Sequence, residues 1–204
     1  MKNVSTRYTV ALLTVLASIV LGACTGPRVI TSDVSSFGEW PAGRKPSTYA
    51  FDRLPSQAAQ AEASDALEAT AREALAKAGF QPVASGQLPD VLVQVGQRVS
   101  RVVPGPWADP LWWRGGFGYW RPSPWISPIH SSWYGPGYSP RFEREVALLI
   151  RDRSSGKPLF EARASNDGGS YGDPQLTGAM FQAALMDFPR LGINPRRVSV
   201  TLGP

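Results

Sequence analysis

Cysteine is almost absent from this chain: one residue, Cys24, in 204. A lone thiol has no partner for an internal disulfide and is too little for a cysteine-based zinc site. Histidine is equally scarce, with His130 alone, so a metal centre or a catalytic triad has few ligands or bases to draw on. After Cys24 no apolar run approaches the roughly 18 residues that a transmembrane helix requires. No segment repeats at a period of about 20–50 residues, which sets solenoids and propellers aside. A dominant charge is missing too: Lys and Arg number 21 against 16 Asp and Glu, a formal balance of +5. No cationic cluster accompanies that balance, which argues against nucleic acid as a partner.

What is present begins at the N-terminus. Met1–Arg7 carries Lys2 and Arg7 without an acid, Val10–Leu21 is almost wholly apolar, and Gly22 and Ala23 precede Cys24. A basic start, a short apolar core and small residues before a cut describe a secretory signal over residues 1–23. The run Leu21-Gly22-Ala23-Cys24 resembles the bacterial lipobox. That resemblance implies that the thiol of Cys24 takes a diacylglycerol and that cleavage leaves the acylated cysteine first, palmitate being the usual kind of chain. Two or three acyl chains, at about 0.8 kcal/mol per buried CH₂, hold a protein stably on a membrane. Thr25, rather than Asp, follows the cysteine. By resemblance to the usual sorting signal this implies an outer-membrane anchor facing the periplasm. The mature chain would span Cys24–Pro204, and without Lys2 and Arg7 its balance falls to +3.

Residues 24–45 hold Gly, Pro and Ser with few apolar side chains and are expected to be the acylated cysteine and a tether. Ser47–Asp52 alternates as a first strand. A helix is expected from Pro55, with Ser56 as N-cap, to Ala78. Its stripe is Leu67, Ala71, Ala74, Leu75 and Ala78; Glu62, Asp65, Glu68, Arg72 and Lys77 lie mostly outside it. Gly79 stands where a helix C′ glycine belongs, and Phe80 folds back onto the stripe. Asp90–Val103 and Phe142–Arg153 read as long strands, Ser154–Lys157 as a turn and Pro158–Ser165 as the returning strand. Asn166–Asp173 reads as a loop, Gln175–Phe188 as a second helix ended by Pro189, and Arg197–Leu202 as a last edge strand. The expectation is one two-layer α+β domain over residues 46–204. Its mostly antiparallel sheet would have about four to five strands, packed by two helices.

Residues 104–140 differ from everything around them. Six of the seven tryptophans fall here: Trp107, Trp112, Trp113, Trp120, Trp125 and Trp133. With them come Phe117, Tyr119, Tyr134, Tyr138, eight prolines and six glycines, and only Arg114, Arg121 and Asp109 are charged. Eight prolines without apolar periodicity exclude a helix or a central strand. The composition predicts a long aromatic insertion at one end of the sheet. Trp and Arg side chains suit stacking on a glycan such as that of peptidoglycan. Trp and Tyr also suit a bilayer headgroup zone or anchoring in a protein interface. Stacking on single-stranded nucleic acid would need more cations than two arginines. Alternatively, some rings cap the sheet and the rest form a low-complexity loop.

No motif for catalysis emerges. Glu143 and Glu145 share one face of their strand, whereas glycosidases set their acids across a cleft; pairing with Arg144 and Arg151 at the surface is expected instead. Gly115–Gly118 lacks the strand–helix junction and the Lys-Ser/Thr of a phosphate loop. Asn166–Gly169 with Asp173 lacks EF-hand spacing and its closing Glu and reads as a turn. His130 lies among prolines without a partner. No metal or cofactor site is expected.

The order of short motifs resembles a bacterial lipoprotein family called domain of unknown function 4136. The matching residues are Thr48-Tyr49-Ala50-Phe51, the helix end Ala76-Lys77-Ala78-Gly79-Phe80, and Pro89–Val93. They continue through the hairpin from Ile150-Arg151-Asp152 to Ser155–Phe160 and end at Asp187-Phe188-Pro189. The resemblance implies an envelope lipoprotein with a small α+β domain and no catalytic residues to carry over. The functional expectation is a non-enzymatic accessory or binding module, anchored by Cys24. Residues 104–140, with the six tryptophans, Arg114 and Arg121, would be its candidate contact with an envelope protein or glycan. The alternative is an enzyme acting on cell-wall glycan.

Overall fold

The computed structural model describes residues 27–102 and 141–203. In chain order the elements are β1 (Arg28–Gly38), β2 (Thr48–Phe51), α1 (Pro55–Ala58), α2 (Ala61–Lys77) and β3 (Gln81–Pro82). They continue with β4 (Val91–Val102), β5 (Arg141–Asp152), β6 (Pro158–Gly168), α3 (Pro174–Ala184) and β7 (Arg196–Leu202). The fold is α+β: one seven-stranded mixed sheet, ordered β3-β2-β4-β5-β6-β1-β7, with helices on one face. Among the described residues only the β2 pairings, with β3 and β4, are parallel; β4-β5-β6-β1-β7 is antiparallel throughout. Seven strands and three helices among the described residues thus stand where four to five strands and two helices were expected.

The largest correction concerns the expected tether. Residues 28–38 are β1, an inner strand hydrogen-bonded to β6 on one side and β7 on the other. Its period-two face is Ile30, Ser32, Val34 and Ser36, all buried. Two serines in that series conceal the apolar alternation by which a strand is recognised. Ser36 is accommodated because Asn194 bonds its backbone on both sides, accepting from N at 2.9 Å and donating to O at 2.7 Å, while Arg196 donates to its Oγ at 3.1 Å. Trp40, also in the expected tether, packs edge-on against Phe188 at 4.8 Å and donates to the Arg44 carbonyl at 2.8 Å.

The helix expected from Pro55 to Ala78 divides into α1 and α2, and Leu54 rather than Ser56 is the first N-cap. Its apolar stripe holds: Ala71, Ala74 and Leu75 are buried, and Leu67 and Ala78 pack partly buried against the core. Gly79 has φ +93°, the left-handed conformation expected at C′, and Phe80 donates its N–H to the Leu75 carbonyl and is buried. Asp173 caps α3 by accepting from Leu176 N at 2.7 Å, with Pro174 in the first turn. The helix ends at Ala184, before the expected Phe188. Phe188 joins Trp40, Phe80 and Phe160 in an aromatic cluster instead. β6 runs on to Gly168, through the first part of the expected Asn166–Asp173 loop.

Between the layers lie Val91, Val93 and Val95 of β4, Val146, Leu148 and Ile150 of β5, and Phe160, Ala162 and Ala164 of β6. Leu75 of α2 and Met180, Phe181 and Leu185 of the α3 region face them. Full burial contributes about 1.5–3 kcal/mol for each of the larger side chains. The opposite face of the sheet carries charged residues joined across strands: Arg98 meets Glu145 at 2.9 Å, Arg197 meets Asp33 at 3.4 Å, and Arg141 pairs with Asp167.

Candidate functional site

Strand register brings the described chain ends at Arg28, Val102 and Arg141 to one end of the sheet. Val102, the last residue of β4, is the Cα partner of Arg141, the first residue of β5. Phe142 is opposite Gly168 at the end of β6, and Arg28 at the start of β1 is opposite Leu202 at the end of β7. The chain therefore leaves at Val102 and returns at Arg141 on two adjacent paired strands. Cys24, Trp107, Trp112, Trp113, Trp120, Trp125, Trp133, Arg114, Arg121 and His130 lie outside the described residues.

Two depressions flank this end. On the open face, one of about 330 Å³ is lined by Asp33, Val102, Arg141, Glu143, Ser165 and Asp167. On the helical side, a groove of about 310 Å³ between α2 and α3 is bordered by Ala66, Leu67, Gln97, Tyr171, Pro174 and Thr177. Gln97 donates to Thr177 Oγ1 at 3.2 Å across its floor. Tyr171 is exposed and meets Phe142 edge-on, with ring centroids 5.9 Å apart.

Asp33, Glu145, Asp167 and Asp173 are committed to ion pairs. Arg28 donates to Asp173 at 2.8 Å, and this bond, with the Leu176 N–H, holds the Asp173 carboxyl below the usual carboxylate range. Asp167 is paired with Arg141, and Asn166 donates to the Thr31 carbonyl at 2.7 Å. Within Asn166–Asp173, the Asp167 and Asp173 carboxylates thus serve a cross-strand ion pair and a helix cap. Glu143 and Glu145 share the open face as strand alternation requires. Glu145 pairs with Arg98, and Arg151 pairs with Asp52. Among the described residues no group of three or more His, Cys, Asp or Glu could hold a metal ion, and no helix is long and apolar enough to cross a membrane.

Arg144 departs from the surface pairing expected of it. It lies in the buried series with Val146, Leu148 and Ile150 and is only 3% exposed. Its Nε is buried without a hydrogen-bond partner among the described residues. Burial pushes the guanidinium's proton affinity down, opposed by the charges of Asp167 and Asp173 and reinforced by that of Arg28. The signal was in the sequence: Arg144 is two residues before Val146, in phase with the apolar face of β5. Glu68 also proves buried. Arg53 grips it through two bonds, Nε to Oε1 at 2.6 Å and Nη2 to Oε2 at 2.8 Å, and also pairs with Asp65. These contacts hold the Arg53 guanidinium above its ordinary proton affinity.

A family model described as domain of unknown function, DUF4136, matches residues 33–190. The chain belongs to the DUF4136 family. No curated protein matches it. Among solved structures it is similar to a PDZ domain protein from Parabacteroides distasonis ATCC 8503, at 15% identity and a TM-score of 0.52. The match covers 92% of this chain and 42% of that one, so this DUF4136 chain spans less than half of that protein's length, and the likeness is one of fold. A DUF4136 family protein from Bacteroides thetaiotaomicron VPI-5482 matches at 16% identity, 78% and 96% coverage and a TM-score of 0.31. A PelC dodecamer from Paraburkholderia phytofirmans matches at 13% identity, 76% and 94% coverage and a TM-score of 0.35.

Proposed function

We propose that this DUF4136 protein is a lipid-anchored component of the bacterial cell envelope. In this reading it is a non-enzymatic binding module that presents residues 104–140 to a protein or glycan partner. The carrying observation is the pairing of Val102 with Arg141. Residues 103–140 are inserted between two positions that are already strand neighbours, so the sheet does not need that length to close. A segment of this size with six tryptophans has a purpose other than connection. The anchor is Cys24, reached through the lipobox, and Thr25 directs the protein to the outer membrane, facing the periplasm. The competing reading, an enzyme on cell-wall glycan, is disfavoured by the carboxylates at hand: Glu143 and Glu145 sit side by side on one strand, and Glu145 is engaged by Arg98.

The test has two arms in intact cells. Replacing Cys24 with Ala is expected to abolish acyl labelling and processing by the lipoprotein route; labelling that persists in the variant rejects the anchor. A photoreactive residue at Trp113 or Trp120 is expected to capture a discrete envelope protein or glycan strand. Glycan cleavage by the purified protein would establish the enzymatic alternative.

A further inference from the structure

We infer that the end of the sheet bearing Arg28, Val102, Arg141 and Tyr171 rests against the lipid surface that holds the Cys24 acyl chains. This rests on the lipid-anchor reading above and adds an orientation and a contact surface. β1 begins at Arg28, four residues after Cys24. Four residues reach at most about 14 Å even when fully extended. Nor does β1 dangle: its first residue, Arg28, is paired with Leu202 of β7, and from Asp33 onward the strand is also paired with β6. An acylated Cys24 therefore brings one particular end of the domain to the bilayer.

Register shows which end this is. Asp33 of β1 is level with Ser165 of β6, Ser165 with Glu145 of β5, and Glu145 with Arg98 of β4. Moving back along β1 to Arg28 is moving toward Val102 and Arg141. The turn Ser154–Lys157 is at the far end, separated by the twelve residues of β5, roughly 36 Å at about 3.3 Å per residue.

The near end has the chemistry of an interfacial contact. Tyr171 is 66% exposed against the Phe142 ring, and Val102 is 42% exposed. Exposed Arg28, Arg101 and Arg141 supply apolar stems with polar tips. Arg28 and Arg141 are already paired with Asp173 and Asp167, so anionic lipid is not needed to neutralise those two cations.

The experiment uses the acylated full chain in phosphatidylethanolamine vesicles containing a headgroup nitroxide lipid. With Cys24 acylated, an introduced cysteine is the only free thiol. A fluorophore is placed at Tyr171→Cys, Arg101→Cys or Lys157→Cys, all exposed positions, and each variant's melting temperature is checked. Quenching of the Tyr171 and Arg101 labels is expected to exceed that of the Lys157 label several-fold and to persist at high salt. Equal quenching at all three, or stronger quenching at Lys157, with Cys24 shown by mass to be acylated, overturns the orientation alone. An unacylated N-terminus overturns the anchor reading and this inference with it. Relief of quenching at Tyr171 and Arg101 by added peptidoglycan fragments reassigns this end to glycan.

Discussion

The guanidinium of Arg144 lies directly against Gly168, so close that a methyl group at residue 168 would overlap Nη2. The two positions are coupled through space between adjacent strands. Gly168→Ala should therefore destabilise the domain by about 1 kcal/mol, the low end of the range for overpacking, because the overlapping atom is the far end of a flexible side chain. Arg144→Met, which removes both the overlap and a buried cation, should leave the melting temperature unchanged or raised, because burying a charge is costly unless it is paired. Placing Gly168→Ala in the Arg144→Met background should then cost less than in the parent. Additive effects in that double-mutant cycle would show that the contact is not responsible.

Asp152 predicts an acid dependence. Its carboxylate accepts from Ser154 and Ser155, through N–H and O–H, and from Arg44 at 2.9 Å. These bonds, the Ser154 hydroxyl foremost, push its pKa far below the usual carboxylate range. A lowered folded-state pKa means that the unfolded chain binds the proton first as pH falls. The stabilisation is complete above the ordinary value of about 4 and is lost progressively below it. Chemical denaturation from pH 6 down to about pH 2 should show stability falling across the lower part of that range. Asp152→Asn should flatten the slope and lower the plateau near neutrality. An unchanged slope would assign the acid sensitivity elsewhere, with Asp173 the next group to test.

Leu75 and Leu185 test the helix-on-sheet core from its two helical sides. Leu75 is fully buried on α2, and Leu185 is 5% exposed at the end of α3. Truncation of either to Ala should cost about 2–5 kcal/mol. Equilibrium unfolding that reports less than about 1 kcal/mol at both would mean that the helices do not share the core described.

Much of this architecture is legible wherever one chemical type repeats at one period. Val91, Val93 and Val95, the series from Val146 to Ile150, and the Ala/Leu stripe of α2 all announced their buried faces. β1 was hidden because Ser32 and Ser36 occupy two of its four inward positions, and the Asn194 and Arg196 bonds that accommodate Ser36 come from more than 150 residues away. Parallel pairing of the short β2 and β3 was hidden for a similar reason: two and three residue pairs hold them, too few for a periodic signal. At the candidate site, alternation correctly put Glu143 and Glu145 on one face. The same rule places Arg144 inside, but expecting a charge to lie at the surface sent it to the wrong side. The convergence of Arg28, Val102 and Arg141 at one end depends on strand order, which no local pattern contains.

Removal of residues 103–140 tests what that strand order implies. Val102 and Arg141 are partners in the last rung of the β4–β5 ladder, so an Asn-Gly turn between them gives a two-residue hairpin whose type I′ twist suits antiparallel strands. A shorter loop is also easier to close, by about 0.6 kcal/mol for each halving of length. The deletion should thus fold with a melting temperature at or above that of the parent, while crosslinked partner capture is lost with the six tryptophans. A sharp fall in melting temperature would mean instead that rings from this segment cover apolar surface of the sheet, making it part of the core. A deletion that folds and still captures the same partner would move the binding site onto residues 27–102 and 141–203. There the depression beside Arg141 and the groove beside Tyr171 would be the next surfaces to mutate.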